Sequence, residues 1–441
     1  MPKLKIITYG CQANELDSER IAGILEGVGY TLTGDEEEAD LILVNTCSIR
    51  EKAEQKVFSR LGQLAVLKQS KPGLKLGLCG CLAQREGNAL LKRFNSLDLV
   101  VGTGSYPSLP ELLRKTERAA ACSFPQEAQQ WPKLKRRSRI KAWVGIMDGC
   151  DNFCAFCVVP YTRGRERSRP PEDILKEVEE LYLQGYQEIT LLGQTVNSYG
   201  KKLKPPVSFA ELLRRIDEKV HGRIRVRFTS SFPKDVTVEL ASAMAELSSV
   251  CEHIHLPVQS GSTGILQAMA RGYTREEYLE KIKLLRSKVP GIAITTDLIV
   301  GFPGETKEDF QETLSLMEEV GFDGIFAFRY SQRPNTPACT FSDQVPEEVK
   351  ANRLHRLFEA ADRISLTKNK AWIGRAVEVL IDTEDRKVKE GGLLSGRTRE
   401  NKIIHFKGVG NKEGDRVMVL IEEATPHYLR GSLVVNPSSI R

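Results

Sequence analysis

Long hydrophobic runs are missing from this 441-residue chain. No apolar stretch reaches the ~18 residues that a membrane-spanning helix needs, which excludes such helices. A small-residue cleavage site is also missing after the short apolar stretch near the amino terminus. We therefore expect no secretory signal, and a cytoplasmic protein without a membrane partner. The composition has no strong bias, with 41% hydrophobic and 28% charged residues, and this excludes a disordered or collagen-like chain.

The net positive charge of the chain is concentrated in one segment. The net charge of the chain is +6, and residues 111–141 carry nine basic against three acidic side chains, which equals that whole excess. Such a run favours a polyanionic partner such as RNA, while a solvated linker is the ordinary alternative when charge is the only signal. The segment contains Pro125 and Pro132 and ends in a basic cluster of Lys133, Lys135, Arg136, Arg137, Arg139 and Lys141.

The first ~115 residues alternate strand-like and helix-like patterns, which predicts a doubly wound α/β domain with parallel strands. Cysteines follow three predicted strands: Cys11 the first, Cys47 the second, and Cys79 and Cys81 the third. Because the crevice of such a sheet lies beyond the carboxyl ends of its strands, we expect these thiols to converge there. Burial as small hydrophobic side chains is the alternative. The predicted strands are Leu4–Tyr9, Leu41–Asn45, Lys75–Leu78 and Leu97–Val101, and the predicted helices lie near Glu15–Val28, Glu51–Lys68 and Ala83–Phe94.

Six further strand–helix units follow, from a strand at Ala142–Met147 to one at Gly324–Phe328 and a last helix over about Glu347–Trp372. A closed barrel has eight such units, so we predict an open, partial (β/α)6 barrel with a lateral gap. From Arg375 onward, alternating and apolar runs between glycine-rich turns predict a small β-barrel, of a size that often binds nucleic acid. The expected limits are residues 1–120 for the amino-terminal domain, 121–141 for the linker, 142–373 for the partial barrel and 374–441 for the tail.

The ten cysteines of the chain do not indicate a disulfide scaffold, because a chain without a secretory signal keeps its thiols reduced. The sharpest cluster is Cys150-Asp-Asn-Phe-Cys154-Ala-Phe-Cys157, directly after the first barrel strand. Three thiolates on one short loop can each bind one iron of a cubane cluster and leave the fourth iron open. A structural zinc site would need a fourth ligand, and none stands nearby in the sequence.

This loop, at the mouth of a partial barrel, resembles that of the radical S-adenosylmethionine (SAM) superfamily. The resemblance implies a 4Fe–4S cluster on Cys150, Cys154 and Cys157, with SAM bound at the open iron and cleaved to a 5′-deoxyadenosyl radical. It also implies cofactor contacts from the loop itself and from the segments that close the second and fifth barrel strands. Ordinary strand-end turns are the alternative reason for the glycines among them. These contact residues are Phe156, Gly193, Gln194, Gly301 and Gly304.

Three amino-terminal segments extend the resemblance to nearly the whole chain: Gly10–Asn14, Asn45–Ser48 and Gly80–Gln84. Together with the Cys150–Cys157 loop, its continuation to Glu166, and a tail that is similar to the RNA-binding TRAM domain, they resemble the MiaB class of methylthiotransferases. The resemblance implies that Cys11, Cys47 and Cys81 hold an auxiliary 4Fe–4S cluster. Cys79 is the rival of Cys81, which the Gly-Cys-x-Ala-Gln pattern selects. Three cysteines match no motif and are interpreted as structural: Cys122, Cys251 and Cys339.

The MiaB class adds a methylthio group to N6-isopentenyladenosine beside the tRNA anticodon. The resemblance therefore implies one SAM as the methyl donor and a second as the radical source. An aromatic C–H has no acidic proton for general acid or base groups to transfer, so we expect no catalytic triad. The protein is expected to contribute by orienting the reactants and excluding water. The expected partners are the tRNA anticodon stem-loop, an electron donor such as flavodoxin or ferredoxin, and a sulfur donor that the sequence does not identify. We expect a monomer.

Four arginines at alternating positions after the loop are candidates for phosphate contacts, with pairing to Glu166 or Glu172 as the alternative. They are Arg163, Arg165, Arg167 and Arg169. The target adenine has to leave the stack of the anticodon loop. Phe326, Phe328 and Tyr330 lie on the sixth barrel strand, where they can pack near that base, although a barrel-core position is the favoured interpretation of Phe326.

Two other function classes stay open at this stage. Within the same chemistry, RimO-type enzymes modify a ribosomal-protein aspartate, and a related class acts on threonylcarbamoyladenosine. A two-cluster electron carrier or a plain RNA-binding module is the non-enzymatic alternative. Carriers usually bind every iron through cysteine, and two sets of three cysteines count against that reading.

Overall fold

A computed structural model describes residues 1–48, 51–124, 134–382, 392–408 and 410–434, except for the side chains of residues 51–53. Within that part of the chain, no helix combines the length and the apolar character that crossing a bilayer requires. Residues Pro125, Pro132 and Lys133, which the sequence places in the linker, lie outside the described residues.

The amino-terminal domain is a doubly wound sheet, as predicted. Its strands all run parallel, in the order β2-β1-β3-β4-β5-β6: β1 (Lys3–Tyr9), β2 (Thr31–Leu32), β3 (Leu41–Thr46), β4 (Lys75–Gly80), β5 (Leu99–Val101) and β6 (Ala119–Ala121). The helices are α1 (Gln12–Glu26), α2 (Glu51–Ser70), α3 (Cys81–Glu86), α4 (Asn88–Arg93) and α5 (Leu109–Arg114). Helices α1 and α5 cover one face, and α2, α3 and α4 cover the other. The chain reverses its direction of progress across the sheet between β1 and β3, so the crevice lies at the carboxyl ends of these two strands.

The central domain contains six main parallel strands in sequence order: β7 (Lys141–Gly145), β10 (Glu188–Leu192), β11 (Arg225–Phe228), β12 (His253–His255), β13 (Ala293–Val300) and β14 (Gly324–Arg329). They form two sets of three, and a parallel bridge between Val226 and Val250 joins the sets. A two-stranded antiparallel ribbon, β8 (Met147–Asp148) with β9 (Arg167–Ser168), flanks the first strand. This series confirms the partial barrel, in which β7 and β14 stand at the two sides of the lateral gap.

The short helix α6 (Val159–Arg163) follows the Cys150–Cys157 loop and contacts α3 of the amino-terminal domain. The other helices cover the partial barrel: α7 (Pro171–Leu183), α8 (Phe209–Val220), α9 (Val238–Glu246), α10 (Thr263–Ala268), α11 (Arg275–Lys288), α12 (Lys307–Val320) and α13 (Glu347–Lys370). Alternate strand residues pack against them. Ile254 of β12, Leu298 of β13 and Ala327 of β14 belong to the same buried cluster as apolar residues of α12 and α13. Because side chains alternate along a strand, the residues between them face the interior of the partial barrel.

The carboxy-terminal domain is a closed five-stranded barrel, as the tail pattern predicts. Its strands are β15 (Ala376–Ile381), β16 (Leu394–Arg397), β17 (Ile403–Lys407), β18 (Arg416–Ala424) and β19 (Leu429–Leu433), in the order β15-β16-β17-β19-β18. Inward-facing residues such as Val379, Ile404, Phe406 and Val419 form its buried core. Closure pairs every strand on both sides and leaves the small sheet without a free edge.

This barrel docks on the amino-terminal ends of the central strands. At the start of β11, the Arg225 side chain is 1% exposed and donates to the carbonyl of Arg397 over 2.6 Å. Lys402 pairs with Asp323, which precedes β14, over 3.0 Å. Buried arginines and lysines are stable only with such partners. The carboxy-terminal barrel therefore closes the floor of the partial barrel and leaves the opposite end, at the carboxyl ends of the strands, for the loops.

The described part of the basic linker forms ion pairs between domains. Arg136 contacts Glu19 of α1 over 3.0 Å and also pairs with Glu177 of α7. The other pairs are Lys135–Glu26, Arg137–Glu15 and Lys141–Asp382. Arg136 and Lys141 are thus used within the chain, and the free RNA-binding stripe is wrong for these two residues. Lys135, Arg137 and Arg139 are exposed, and their contact with RNA stays a prediction. The sequence does not reveal these pairs, because the carboxylates lie far away in the chain.

Candidate functional site

The Cys150–Cys157 loop is held in place by its own backbone. Ala155 donates to the carbonyl of Met269 and accepts from the Ala338 amide, both over 2.9 Å. Gly149, which precedes the loop, has a φ of +82°, and any side chain there would collide with the backbone of Arg165. Only glycine meets both requirements. These backbone contacts therefore fix the positions of the three cysteines at the barrel mouth.

The three sulfurs of this loop influence one another. Burial raises the pKa of Cys150, and burial together with the neighbouring charge of Cys154 raises the pKa of Cys157 to about 12. The buried Arg271 donates to the sulfur of Cys154 over 3.4 Å. Because the pKa values of Cys150 and Cys157 are raised, these two thiols need a strongly cationic centre to become thiolates. An iron–sulfur cluster with one iron for each sulfur provides such a centre, and the donor set fits it.

The predicted SAM contacts lie around this loop. Phe156 is partly buried and packs against the barrel core. The side-chain oxygen of Gln194 accepts from the Gly149 amide over 2.5 Å, so the segment after β10 touches the loop entrance. Gly193 lies so close to Met147 that any side chain at position 193 would collide with it. Internal packing is therefore enough to explain why this residue is a glycine. The role of these residues toward SAM stays a prediction.

The glycines after β13 have structural reasons of their own. Gly301 has a φ of +70° and packs on the Lys350 side chain, while its amide donates to Glu305 over 3.0 Å. The amide of Gly304 donates to the carbonyl of Asp343 over 2.8 Å. Gly304 also lines an open cavity of about 460 Å³ that includes Asp309 and Phe341. Their assignment to cofactor binding likewise stays a prediction.

The amino-terminal cysteines meet at the crevice between β1 and β3. Cys11 precedes α1, Cys47 directly follows β3, and Cys81 is the first residue of α3. A hydrogen bond from Cys47 lowers the pKa of Cys11 to about 6, against the effect of burial and with help from the positive charge of Arg163. Burial raises the pKa of Cys81, which also accepts a hydrogen bond from Arg163. The structure therefore brings these three sulfurs around one point.

Cys79 belongs to the other face of the sheet. Its side chain is fully buried in the apolar cluster under α1 and α5, with Leu43, Leu99 and Leu109, and burial raises its pKa. It points away from the crevice because side chains alternate along β4. This geometry favours Cys81 over Cys79 as the third sulfur of the amino-terminal set.

Ligand spacing distinguishes a site for one metal ion from a site for a cluster. Three thiolates on one zinc ion stand ~3.8 Å apart, as the tetrahedral Zn–S bond of about 2.3 Å requires. In the part of the chain that the structure describes, no group of three histidine, cysteine or acidic side chains is spaced to share one ion. Thiolates that each bind a different iron of a cubane stand further apart.

Comparison with known proteins separates the candidate families. Residues 3–102 match the uncharacterized protein family UPF0004, residues 144–317 match the radical SAM superfamily, and residues 370–434 match the TRAM domain. A tRNA-2-methylthio-N(6)-dimethylallyladenosine synthase from Carboxydothermus hydrogenoformans is 49% identical over 97% of this chain and 98% of its own. One of the same name from Syntrophobacter fumaroxidans is 49% identical over 98% of this chain and 96% of its own.

The chain belongs to the tRNA-2-methylthio-N(6)-dimethylallyladenosine synthase family. This is the MiaB class of radical SAM methylthiotransferases, and the resemblance stated from the sequence is confirmed. Membership of the radical SAM superfamily implies a 4Fe–4S cluster and SAM. The fold is shared with distant enzymes. The methyltransferase TsrM from Kitasatospora setae has a TM-score of 0.56 at 16% identity over 77% of each chain. The radical enzyme OxsB has a TM-score of 0.55 at 14% identity over 80% of this chain and 56% of its own.

In this MiaB-class protein a buried ion network joins the two cysteine sets. Arg163, at the end of α6, donates to Asp17 of α1 over 2.6 Å and lies 3.7 Å from Asp148 of β8. Arg20 contacts both carboxylates over 3.3 Å, and the Tyr106 hydroxyl donates to Asp17 over 3.2 Å. Opposite charges stabilise one another strongly at this depth. The network therefore fixes the amino-terminal domain against the barrel mouth.

The four arginines that follow the loop have different roles in this MiaB-class chain. Arg163 is buried and paired with Asp17, and Arg169 is buried and paired with Glu177. The prediction of phosphate contacts is therefore wrong for both. Arg165 is exposed, 3.2 Å from Asp151 and stacked over the Phe153 ring at 4.7 Å. Its role toward RNA stays a prediction, as does that of Arg167.

The sixth strand also differs from expectation. Phe326 is 53% exposed, whereas Tyr330 is 3% exposed and packs beside Phe302. The interpretation of Phe326 as barrel core is wrong, because strand β14 stands at the lateral gap and its inward face is not covered. A sequence with alternating aromatic residues offers no sign of which strand ends the series.

We expect the substitution Arg163→Gln to lower the free energy of unfolding by roughly 3–5 kcal/mol, because it leaves the buried Asp17 without its main partner. Arg165→Gln, two residues further along, removes an exposed partner of Asp151 and is expected to cost ~0–1 kcal/mol. Urea unfolding of both variants and the wild type measures the difference. Equal losses for the two variants would show that the buried network has no special weight.

Proposed function

We propose that this protein converts N6-isopentenyladenosine (the dimethylallyl form) beside the tRNA anticodon to its 2-methylthio derivative, with two 4Fe–4S clusters and with SAM in two roles. The observation that carries this proposal is the identity of 49% over 97% of the chain to a synthase of that name. The two sets of three cysteines agree with it.

Two sets of residues would hold the clusters: Cys150, Cys154 and Cys157 for the radical cluster, and Cys11, Cys47 and Cys81 for the auxiliary cluster. When bound, these clusters and SAM supply the electron, the carbon-centred radical and the methylthio unit, which chemistry at an inert aromatic C–H requires. The cysteines Cys122, Cys251 and Cys339 stay outside both sets.

The side chains of the protein would position the two cysteine sets and protect the reaction from water. Arg271 holds the sulfur of Cys154 in a buried hydrogen bond, and Arg163 contributes positive charge beside Cys11 and Cys81. Because the ion network of Arg163 also ties α1 to the segment that follows the radical loop, it would keep the two cysteine sets in register. A dry, rigid setting of this kind protects a reactive intermediate from water and from loss by side reactions.

The RNA partner would be tRNA, which the family and the TRAM domain both support. The anticodon stem-loop is the element that presents the target adenine, and a base has to be unstacked to reach a buried centre. We retain the domain limits 1–120, 121–141, 142–373 and 374–441, the electron donor of the flavodoxin or ferredoxin type, and the monomer as parts of this proposal.

The test is an anaerobic reaction of reconstituted protein with SAM, reductant and an anticodon stem-loop that carries isopentenyladenosine. We expect mass spectrometry of the digested RNA to show the 2-methylthio nucleoside. Iron and sulfide analysis is expected to give two clusters for the wild type and one for each triple-cysteine variant. A stem-loop with unmodified adenosine is the matched control. Product only on a ribosomal-protein aspartate or on threonylcarbamoyladenosine would refute the proposed substrate, and stoichiometric zinc would refute the metal assignment.

A further inference from the structure

The interior of the partial barrel is polar at mid-strand height on the β12–β14 side. Since Ile254, Leu298 and Ala327 face the helices, the neighbouring positions His255, Asp297 and Phe326 face inward. Closed barrels fill such positions with bulky aliphatic side chains that pack in layers. Here an imidazole, a carboxylate and a phenyl ring take their place. The interior on this side is therefore built for something other than packing.

These three side chains form one cluster across adjacent strands. Asp297 and Phe326 are direct partners in the pairing of β13 with β14. The Nε2 atom of His255 lies 3.4 Å from an Asp297 carboxylate oxygen, and its Nδ1 atom lies 3.0 Å from the Thr295 hydroxyl. The ring centroids of His255 and Phe326 are 5.8 Å apart, at an interplanar angle of 74°. Contacts on both ring nitrogens hold His255 in one orientation.

Part of the cluster is left open. Phe326 is 53% exposed although it lies within a strand, and the Asp297 side chain is 30% exposed. Strand β14 stands at the lateral gap, so Phe326 is accessible to a ligand that enters there. An exposed phenyl ring beside an accessible carboxylate suits a flat, partly apolar ligand with a hydrogen-bond donor on its edge.

We propose that Phe326, His255 and Asp297 form the binding site for the unstacked target adenine, with Phe326 against the face of the base and an Asp297 oxygen accepting its remaining N6–H. His255 is a positioning residue that holds Asp297. An adenine with one N6 substituent keeps one N6–H, which the partly exposed Asp297 carboxylate can accept. This inference rests on the proposed function, because it takes its ligand from the RNA substrate.

The cluster is separate from the positions assigned to SAM. Those positions lie on the radical loop or just after the carboxyl ends of strands, as Gly193 and Gly301 do. His255 is the last residue of the short strand β12. Asp297 and Phe326 each lie at least two residues inside both ends of their strands, β13 and β14. The proposed base site therefore lies deeper in the partial barrel than the positions assigned to SAM, next to the lateral gap.

The test compares binding of two anticodon stem-loops to the reconstituted protein: one with isopentenyladenosine at the target position, and one with an abasic nucleotide there. Stacking and edge contacts are expected to make the wild type bind the first at least about fivefold more tightly. Phe326→Ala is expected to reduce this ratio toward one. Asp297→Asn, which cannot accept in the same way through its amide nitrogen, is expected to lower the ratio in part. Phe326→Leu distinguishes loss of the flat ring from loss of bulk.

The matched control is Phe358→Ala, since Phe358 is 44% exposed on the outer helix α13 and is expected to keep the wild-type ratio. A wild-type ratio in Phe326→Ala would overturn the inference. An equal loss of SAM cleavage in the absence of RNA would also overturn it, because the cluster would then belong to SAM. If the wild type methylthiolates the isopentenyl stem-loop, the proposed function stands whichever of these results is found. If the wild type does not methylthiolate this stem-loop, the proposed function fails, independently of the binding ratios.

Discussion

Replacing Cys150 with alanine is expected to reduce SAM cleavage to the background of cluster-free protein. Cys150 begins the loop whose three sulfurs would hold the radical cluster, and two remaining thiolates cannot fix a cubane in one orientation. The loop backbone is clamped by Met269 and Ala338, so the loop cannot shift to recruit another cysteine. The measurement is 5′-deoxyadenosine formed anaerobically under reductant, with iron content determined on the same sample.

Cys339→Ala is the matched control for that experiment. Cys339 is next to Ala338, which is hydrogen-bonded to the loop, but it lies outside the motif, so its variant is expected to cleave SAM at the wild-type rate. Full cleavage activity in the Cys150 variant would show that this loop does not hold the radical cluster. Loss of activity in both variants would point to general damage around the loop.

Replacing Cys47 with alanine is expected to spare SAM cleavage and abolish methylthiolated product. The two cysteine sets lie on different domains, and Cys47 takes part in the amino-terminal set through its hydrogen bond with Cys11. Removing it leaves the radical loop and its anchors untouched. The measurement pairs 5′-deoxyadenosine with the methylthiolated nucleoside from the same reaction, so that a change in their ratio reports the separation of the two functions.

The control is Cys79→Ala, in which the altered sulfur is on the opposite face of the same sheet. We expect this variant to form the product, with some loss of stability because Cys79 is fully buried. Methylthiolated product from the Cys47 variant would refute the auxiliary-cluster assignment. Loss of product from the Cys79 variant, with its fold intact, would make Cys79 the ligand in place of Cys81.

Much of the fold could be predicted from local pattern. Apolar runs such as Leu41–Asn45, bounded by helical stretches, predicted a parallel sheet, and the structure has it. The strands that escaped prediction are short or low in β-branched residues: β2, β6, β9, β16 and β19. Ala119–Ala121, for example, has little intrinsic preference for a strand and becomes β6 because β5 offers it a partner. Pairing of this kind depends on neighbours that are distant in sequence.

The errors concern charged and aromatic side chains. Arg163 and Arg169 seemed suited to phosphate, and Arg136 to RNA backbone, yet each is paired with a carboxylate that is far from it or on another element. Phe326 seemed suited to the core and is exposed. In each case the residue type was read correctly, but its surroundings were not, because surroundings are set by which elements pack together.

Cysteine spacing and strand–helix order are properties of the chain itself, and they were enough to indicate the family, the three-part architecture and the two trios of sulfurs. The burial of Cys79 on the other face of the sheet, the ion pairs of Arg163 between two domains and the open cluster beside the lateral gap were decided by tertiary structure. The reason is that a side chain's burial and partners depend on segments brought near it only when the whole chain has folded.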